Sequence, residues 1–221
     1  MCGRYERRGD KQAIAEAFHV TNSFEGVDFG ETYDAAPGSE QPVVYSNEAG
    51  ERSLAIMRWG FKLPDRLLFN ARSEGVTEAK FWKDKFAEHR CIVPTSSYFE
   101  WQDCGKNQPK PKYQIKILGR EYFGIAAVWA LWKNPKTDKW EKTFSTFTSE
   151  PNALIEKIHI RQPIILEAKD FDEWLAPSER PPVHLLRVMS EEEMNMTLLA
   201  PPPPPEPKSK VKEPAMKGLF D

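Results

Sequence analysis

The chain is poor in cysteine, and the few it has form no pattern. Cys2, Cys91 and Cys104 are three among 221 residues, an odd count without paired spacing, which argues against a disulfide framework and for a reducing compartment. No apolar run reaches membrane-spanning length and no signal-peptide core follows the N-terminus, so a cytosolic protein without a membrane is expected. No glycine loop of the phosphate-cradling kind is present, and the four histidines lack zinc-type spacing. Neither a cofactor nor a metal is therefore expected. An excess of charge is missing too. The net value of -2 gives no global reason to bind nucleic acid, and any basic surface must be local. There is no internal repeat and no alternation of strand and helix, which excludes solenoids and parallel α/β sheets.

What is present suits a folded domain: 40% hydrophobic residues, 12% aromatic, seven tryptophans. Lys11 to Phe18 reads as a short helix capped by Asp10. Pro42–Ser46 and Arg52–Arg58 read as strands joined through Asn47-Glu-Ala-Gly50, a hairpin signal. Thr77 is expected to cap a helix running through Phe81, Trp82, Phe86 and Ala87. Cys91–Pro94 and Ser97–Trp101 follow as strands, interrupted by a proline turn. Lys112–Leu118 and Tyr122–Trp129 suggest a second hairpin about Gly119. Thr143–Thr148 alternates and is expected to be half buried. Pro151 opens a helix ending near His159, Pro163–Leu166 is a buried strand, Phe171–Leu175 a helical turn, and Val183–Met189 the last strand. The expectation is a single α+β domain, residues 1–199, with a curved, mainly antiparallel, barrel-like sheet and a few peripheral helices. The five prolines at Pro201–Pro205 open a tail, residues 200–221, that reads as a polyproline arm.

A few polar residues stand apart. Once an initiator methionine is removed, Cys2 carries an α-amine and a thiol on adjacent carbons, with ordinary pKa values of about 7.7–8.0 and about 8.5. Such a pair attacks acyl carbons, or condenses with an aldehyde to an imine that the thiol closes into a five-membered ring. Glu100 sits between aromatic neighbours, a setting that raises a carboxyl pKa and suits it to proton transfer. By pattern alone it is equally an outward residue on an alternating strand. His159 reads either as a catalytic imidazole or as a helix-end histidine, Asn70 as a site or turn residue, and Arg4, Arg72 and Arg161 as phosphate contacts or a solvated face.

The order of the motifs decides between these readings. Met1-Cys-Gly-Arg-Tyr5 resembles the opening of the SOS response-associated peptidase family. So do Ala36-Pro37-Gly38, Trp59-Gly60, Asn70-Ala-Arg-Ser-Glu74, Arg90-Cys-Ile-Val-Pro94, Tyr98-Phe-Glu-Trp101 and His159-Ile-Arg-Gln-Pro-Ile-Ile-Leu166. The matches cover nearly all of residues 2–175. Asp34 stands where an asparagine is usual, Ser97 replaces a common glycine, and Gln162 a common methionine.

The resemblance implies an enzyme of the DNA-damage response that captures abasic sites in single-stranded DNA and removes its own initiator methionine. Cys2 is the implied nucleophile, closing a thiazolidine with the ring-opened sugar. Asn70 is implied to hold the terminal amine and thiol, Glu100 to move protons, and His159 to protonate the sugar oxygen. Arg4, Arg72 and Arg161 are implied to meet phosphates, with Pro37, Trp59 and Gly60 in the DNA-binding surface and Trp59 stacking on a base or wedged beside the lesion. The same Cys2, Asn70, Glu100 and His159 also suit an amide hydrolase, and a non-catalytic single-strand binder stays open. A monomer is expected. The closing Met216-Lys-Gly-Leu-Phe-Asp221 resembles motifs that replication proteins insert into a sliding clamp, through Leu219 and Phe220.

Overall fold

Strands dominate because alternating runs of branched and aromatic residues recur between turns built on Gly, Asn and Pro. The computed structural model describes residues 2–20, 27–106 and 108–199. The tail with Leu219 and Phe220 lies outside the described residues. In chain order the elements are β1 (Tyr5–Arg7), α1 (Lys11–Ala17), β2 (Thr32–Ala35), β3 (Glu40–Ser46), β4 (Arg52–Trp59), β5 (Phe61–Lys62), β6 (Leu67–Leu68) and β7 (Asn70–Arg72). Then follow α2 (Lys83–Glu88), β8 (Arg90–Thr95), β9 (Ser97–Trp101), β10 (Lys112–Ile117), β11 (Phe123–Lys133), β12 (Trp140–Ser149), β13 (Gln162–Pro163), β14 (Ile165–Leu166), α3 (Phe171–Leu175) and β15 (Met194–Leu198). Among the described residues no helix is long and apolar enough to cross a membrane.

The larger sheet closes on itself. Its path runs β12-β4-β3-β8-β11, and β11 pairs back onto β12, making a five-stranded barrel. All these pairings are antiparallel except β12 with β4. A second sheet, ordered β15-β10-β9-β1-β2, lies against it. Val43, Val93, Ile125 and Phe144 join Tyr5, Tyr98 and Ile115 in one core. Their neighbours Val44, Ile92, Ala126 and Phe147 join Phe18, Phe86 and Trp174 in a second core that includes residues of the three helices. The barrel strands are thus buried on both faces. Arg90 ties the helices down: its guanidinium donates to the carbonyls of Phe86, Ala87, Trp174 and Ala176. Burial lowers its pKa to about 10, yet it remains charged at neutral pH.

The barrel-like antiparallel expectation holds, as do the Asp10 cap, whose Oδ1 accepts the Ala13 N–H at 2.9 Å, and the β3–β4 hairpin. Other expectations change. The run about Gly119 is no hairpin: β10 pairs with β9 and β15 while β11 enters the barrel, so Gly119, at φ +71°, passes the chain between sheets. Residues Thr143–Thr148 are fully rather than half buried, because the second core covers their other face. Pro94 lies within β8, and the helix expected from Thr77 is confined to α2. The helix expected before His159 is a single 3-10 turn, Ile155–Lys157. Val183–Leu185 is another such turn, not a strand, and the last strand is β15.

Candidate active site

The N-terminal segment reaches the site because β1 is an interior strand. It pairs antiparallel with β9 on one side and β2 on the other. The register Tyr5↔Tyr98, extended by Phe99 N–H donating to the Arg4 carbonyl at 2.9 Å, runs Cys2 back along β9 towards Glu100. Cys2 is 7% exposed and Glu100 3%. His159 arrives from the loop before β13. One polar atom from each of Cys2, Glu100 and His159 lies within 4.8 Å of the others, although 98 residues of sequence separate the first pair.

The electrostatics of this cluster are those of a buried, poorly compensated carboxyl. Glu100 Oε1 is shielded from solvent without a hydrogen-bond partner, and His159 Nδ1 is 3.7 Å from it. Burial raises the carboxyl pKa, while Cys2 and His159 oppose that rise. Burial, and then Glu100, push the Cys2 thiol well above its ordinary value. The thiol therefore rests neutral, and the carboxyl holds its proton more tightly than a solvated glutamate does. The thiol donates to the Arg161 carbonyl at 3.6 Å. His159 Nδ1 lies 2.8 Å from the same oxygen and 3.1 Å from the Arg161 N–H. A protonated Nδ1 donates to the first and a bare one accepts from the second. The Arg161 backbone is thus the joint between the Cys2 thiol and the imidazole.

The remaining predicted residues fall into two groups. Asn70 belongs at the centre: its Nδ2 donates to the Cys2 carbonyl at 3.0 Å and its Oδ1 accepts from Thr146 Oγ1 at 2.6 Å. That bond reaches the backbone carbonyl, where the amine and thiol were expected. Arg72, two residues on, is exposed, and among the described residues no side-chain hydrogen bond or ion pair engages it. Arg4 is also accessible but pairs with Asp34 at 2.6 Å, and Lys112 stands 3.8 Å from the same carboxylate. Arg161 is different. Its guanidinium grips Glu74 through two bonds, of 3.0 and 2.8 Å, and donates to the Thr148 carbonyl. Without DNA, that guanidinium is engaged in holding the loop to β12 and to Glu74.

Trp59 corrects the expectation of a base-stacking platform. Only 2% of it is exposed, it stacks on Phe144 with planes 6° apart, and its indole N–H donates to the Phe69 carbonyl at 2.9 Å. No face is left for a base. It lines, with Cys2, Arg4, Tyr5 and Tyr98, a recess of about 10 Å³. Gly60 follows at φ +109°, where an added Cβ would lie 2.7 Å from Leu67, so its motif position is a backbone requirement. Pro37 is half buried beside the Gly38 N–H bond to the Trp59 carbonyl, 2.7 Å.

A cleft of about 130 Å³ lined by Asn70, Arg72, Thr148, His159, Ile160 and Arg161 opens over the cluster's His159 side. Larger hollows of about 420 and 730 Å³ lie elsewhere and hold none of the candidate residues. Thr146, Thr148 and Glu74 are site residues that the sequence did not single out. Their link to Asn70 and Arg161 comes from the parallel pairing of β7 with β12, for which no local signal exists.

The fold and the site together define a barrel protein in which the segment before the first strand brings a buried cysteine to a glutamate and a histidine. Residues 1–200 match the family model described as SOS response associated peptidase (SRAP), and the chain belongs to that family. It is 29% identical over 194 residues to the abasic site processing protein YoqW of Bacillus subtilis (strain 168), covering 84% of each chain. It is 27% identical over 194 residues to the abasic site processing protein HMCES of Xenopus tropicalis, covering 72% of this chain and 57% of that one. A crystal structure of a Bacteroides thetaiotaomicron protein superposes with a TM-score of 0.76 at 22% identity, covering 90% of this chain and 92% of that one. That likeness concerns the fold.

Proposed function

We propose that the protein processes abasic sites, and that it does so by capturing them covalently in single-stranded DNA through Cys2 after Met1 has been released. The observation that carries this reading is the meeting of Cys2, Glu100 and His159 within 4.8 Å beside a small cleft. The names of the relatives supply the lesion, and the cluster supplies the chemistry.

An abasic deoxyribose is in equilibrium with its open aldehyde. His159, at the mouth, protonates the ring oxygen as the sugar opens. The freed Cys2 amine adds to the aldehyde carbon and loses water to give an imine. Glu100 protonates the departing hydroxyl, as a carboxyl with a raised pKa is suited to do. The thiol then adds to the imine carbon, its proton passes to the nitrogen, and the thiazolidine closes. Asn70 orients Cys2 through its carbonyl. Arg72 and Arg4 meet phosphates, which positions the strand without reading its sequence. The narrow cleft admits a sugar without a base. Release of Met1 is a peptide cleavage at the same residue and exposes the amine that the reaction needs.

Intact mass before and after incubation with an abasic single-stranded oligonucleotide tests this. Protein lacking Met1 is expected to gain one oligonucleotide, less one water, in a heat-stable adduct. Cys2→Ser keeps the amine and yields only an adduct that needs borohydride to survive. A heat-stable adduct from Cys2→Ala without reductant would assign the reaction to a lysine and overturn the proposal.

A further inference from the structure

The cluster around Cys2 has a second chemical property, independent of DNA. Thiolate sulphur, imidazole nitrogen and carboxylate oxygen are the three donor types that protein zinc sites use. Here one of each lies within 4.8 Å of the others, with His159 Nδ1 and Glu100 Oε1 3.7 Å apart. Donors around a tetrahedral zinc ion stand about 3.5 Å apart, given bonds of about 2.0–2.3 Å, so only a small contraction is required. The side chain of Glu100 is 3% exposed and one of its oxygens is unpartnered, a donor already desolvated and facing the cluster. Ligation through His159 Nδ1 exchanges its 2.8 Å contact with the Arg161 carbonyl for the bond to zinc. Loss of Met1 adds a fourth donor. The amine and thiolate of a terminal cysteine close a five-membered chelate on a metal.

We propose that Cys2, through amine and sulphur, together with Glu100 and His159, forms a zinc site, and that the zinc-loaded protein is a reversible resting form in which the nucleophile is masked. Binding replaces the thiol proton by a sulphur–zinc bond and takes the amine and the Glu100 carboxyl in their deprotonated forms, so the thiol proton and any held by those two groups pass to solvent. The amine lone pair enters the coordination shell, so neither nucleophile is available to an aldehyde. The site itself stands apart from the DNA chemistry; the masking rests on the functional reading above.

Cobalt(II) is the probe, added to the full chain after Met1 removal. A thiolate-to-cobalt charge-transfer band is expected, displaced by one equivalent of zinc and absent in Cys2→Ser, while Cys104→Ser retains it. Glu100→Gln and His159→Ala are each expected to weaken zinc at least about 10-fold in competition with a chromophoric chelator. A chain blocked from losing Met1 is expected to bind more weakly than the processed one. Zinc is expected to raise the melting temperature of wild type and not of Cys2→Ser. A cobalt band that survives Cys2→Ser, or equal zinc affinity in wild type, Glu100→Gln and His159→Ala, would overturn the site. Capture by metal-free protein is scored separately: its failure with an intact cobalt band would count against the abasic-site reading, whereas capture undiminished by saturating zinc would overturn the masking.

Discussion

Two glutamates lie on adjacent strands of the same sheet, each 3% exposed, and they have opposite surroundings. Glu6, on β1, accepts from Ser97 Oγ at 2.7 Å, Gln114 Nε2 at 2.9 Å and Arg8 Nε at 2.7 Å. Glu100, on β9, has one oxygen without a hydrogen-bond partner and a thiol and an imidazole nearby. Burial of a carboxylate is tolerated when its lone pairs are met, and a satisfied network then fixes structure. A carboxyl buried without that support keeps its proton and remains available for transfer. The difference separates structure from chemistry more sharply than burial does.

Swapping amides into the two positions tests that separation. Glu100→Gln is expected to slow covalent capture by about 10²–10⁴-fold, the usual worth of a positioned acid, with affinity for abasic single-stranded DNA unchanged; quenched time courses and equilibrium binding report the two. A comparable slowing in Glu6→Gln would erase the distinction. Glu6→Ala, in contrast, strands Ser97 and Gln114 and is expected to cost about 1–3 kcal/mol of stability by urea unfolding. Capture per folded molecule should persist.

Proton linkage sharpens the contrast. The Glu100 carboxyl is held above its ordinary 4.5 by burial, so the folded state retains a proton that the unfolded chain has released. Stability conferred by the neutral form is therefore present below 4.5 and declines as pH rises towards the raised value, levelling off above it. Glu100→Gln lacks this decline, so its unfolding free energy should gain on wild type across that window and then run parallel. A constant gap from pH 4 upward would mean that Glu100 ionises in the fold as it does in solution.

The smallest effects belong to the arginines. Arg72→Ala and Arg4→Ala are each expected to flatten the salt dependence of single-strand binding by about 0.7 in the log–log slope. Arg161→Ala should leave the slope and slow capture, because it frees the loop whose backbone carbonyl holds Cys2 and His159. Asp34→Asn releases Arg4 and Lys112 from an exposed pair and should tighten binding, by no more than about fivefold given what such pairs are worth. An Arg161→Ala variant with a flattened slope would return that residue to the DNA.

Much of the site was legible because its reactive groups sit inside short motifs whose order is readable. Their partners were not. Arg4, Arg72 and Arg161 look alike as letters, yet Asp34 and Glu74 determine which guanidinium is occupied, and Glu74 is 87 residues from Arg161. Trp59 looked like a platform because its Trp-Gly motif resembles the family's and aromatic residues stack on single strands; the closure of β12 onto β4 placed Phe144 against it. The barrel was foreseeable from alternating runs, but not which runs pair. Val43 and Val44 are both fully buried, and only the two-layer packing explains why alternation fades there. Val183–Met189 has a strand's composition, but Val183 N–H turns back to the Pro181 carbonyl at 2.8 Å and the run folds as a 3-10 turn.

The interior position of β1 has a mechanical consequence. Under the proposed chemistry, a strand of DNA joined to Cys2 would be attached three residues from a segment laced to β9 on one edge and to β2 on the other. Tension from a motor advancing along that DNA is borne by two ladders of hydrogen bonds loaded side by side. Extracting the N-terminus requires both to shear and Tyr5 to leave the core, where it is 1% exposed. A lesion captured in that way would be moored to the middle of the sheet.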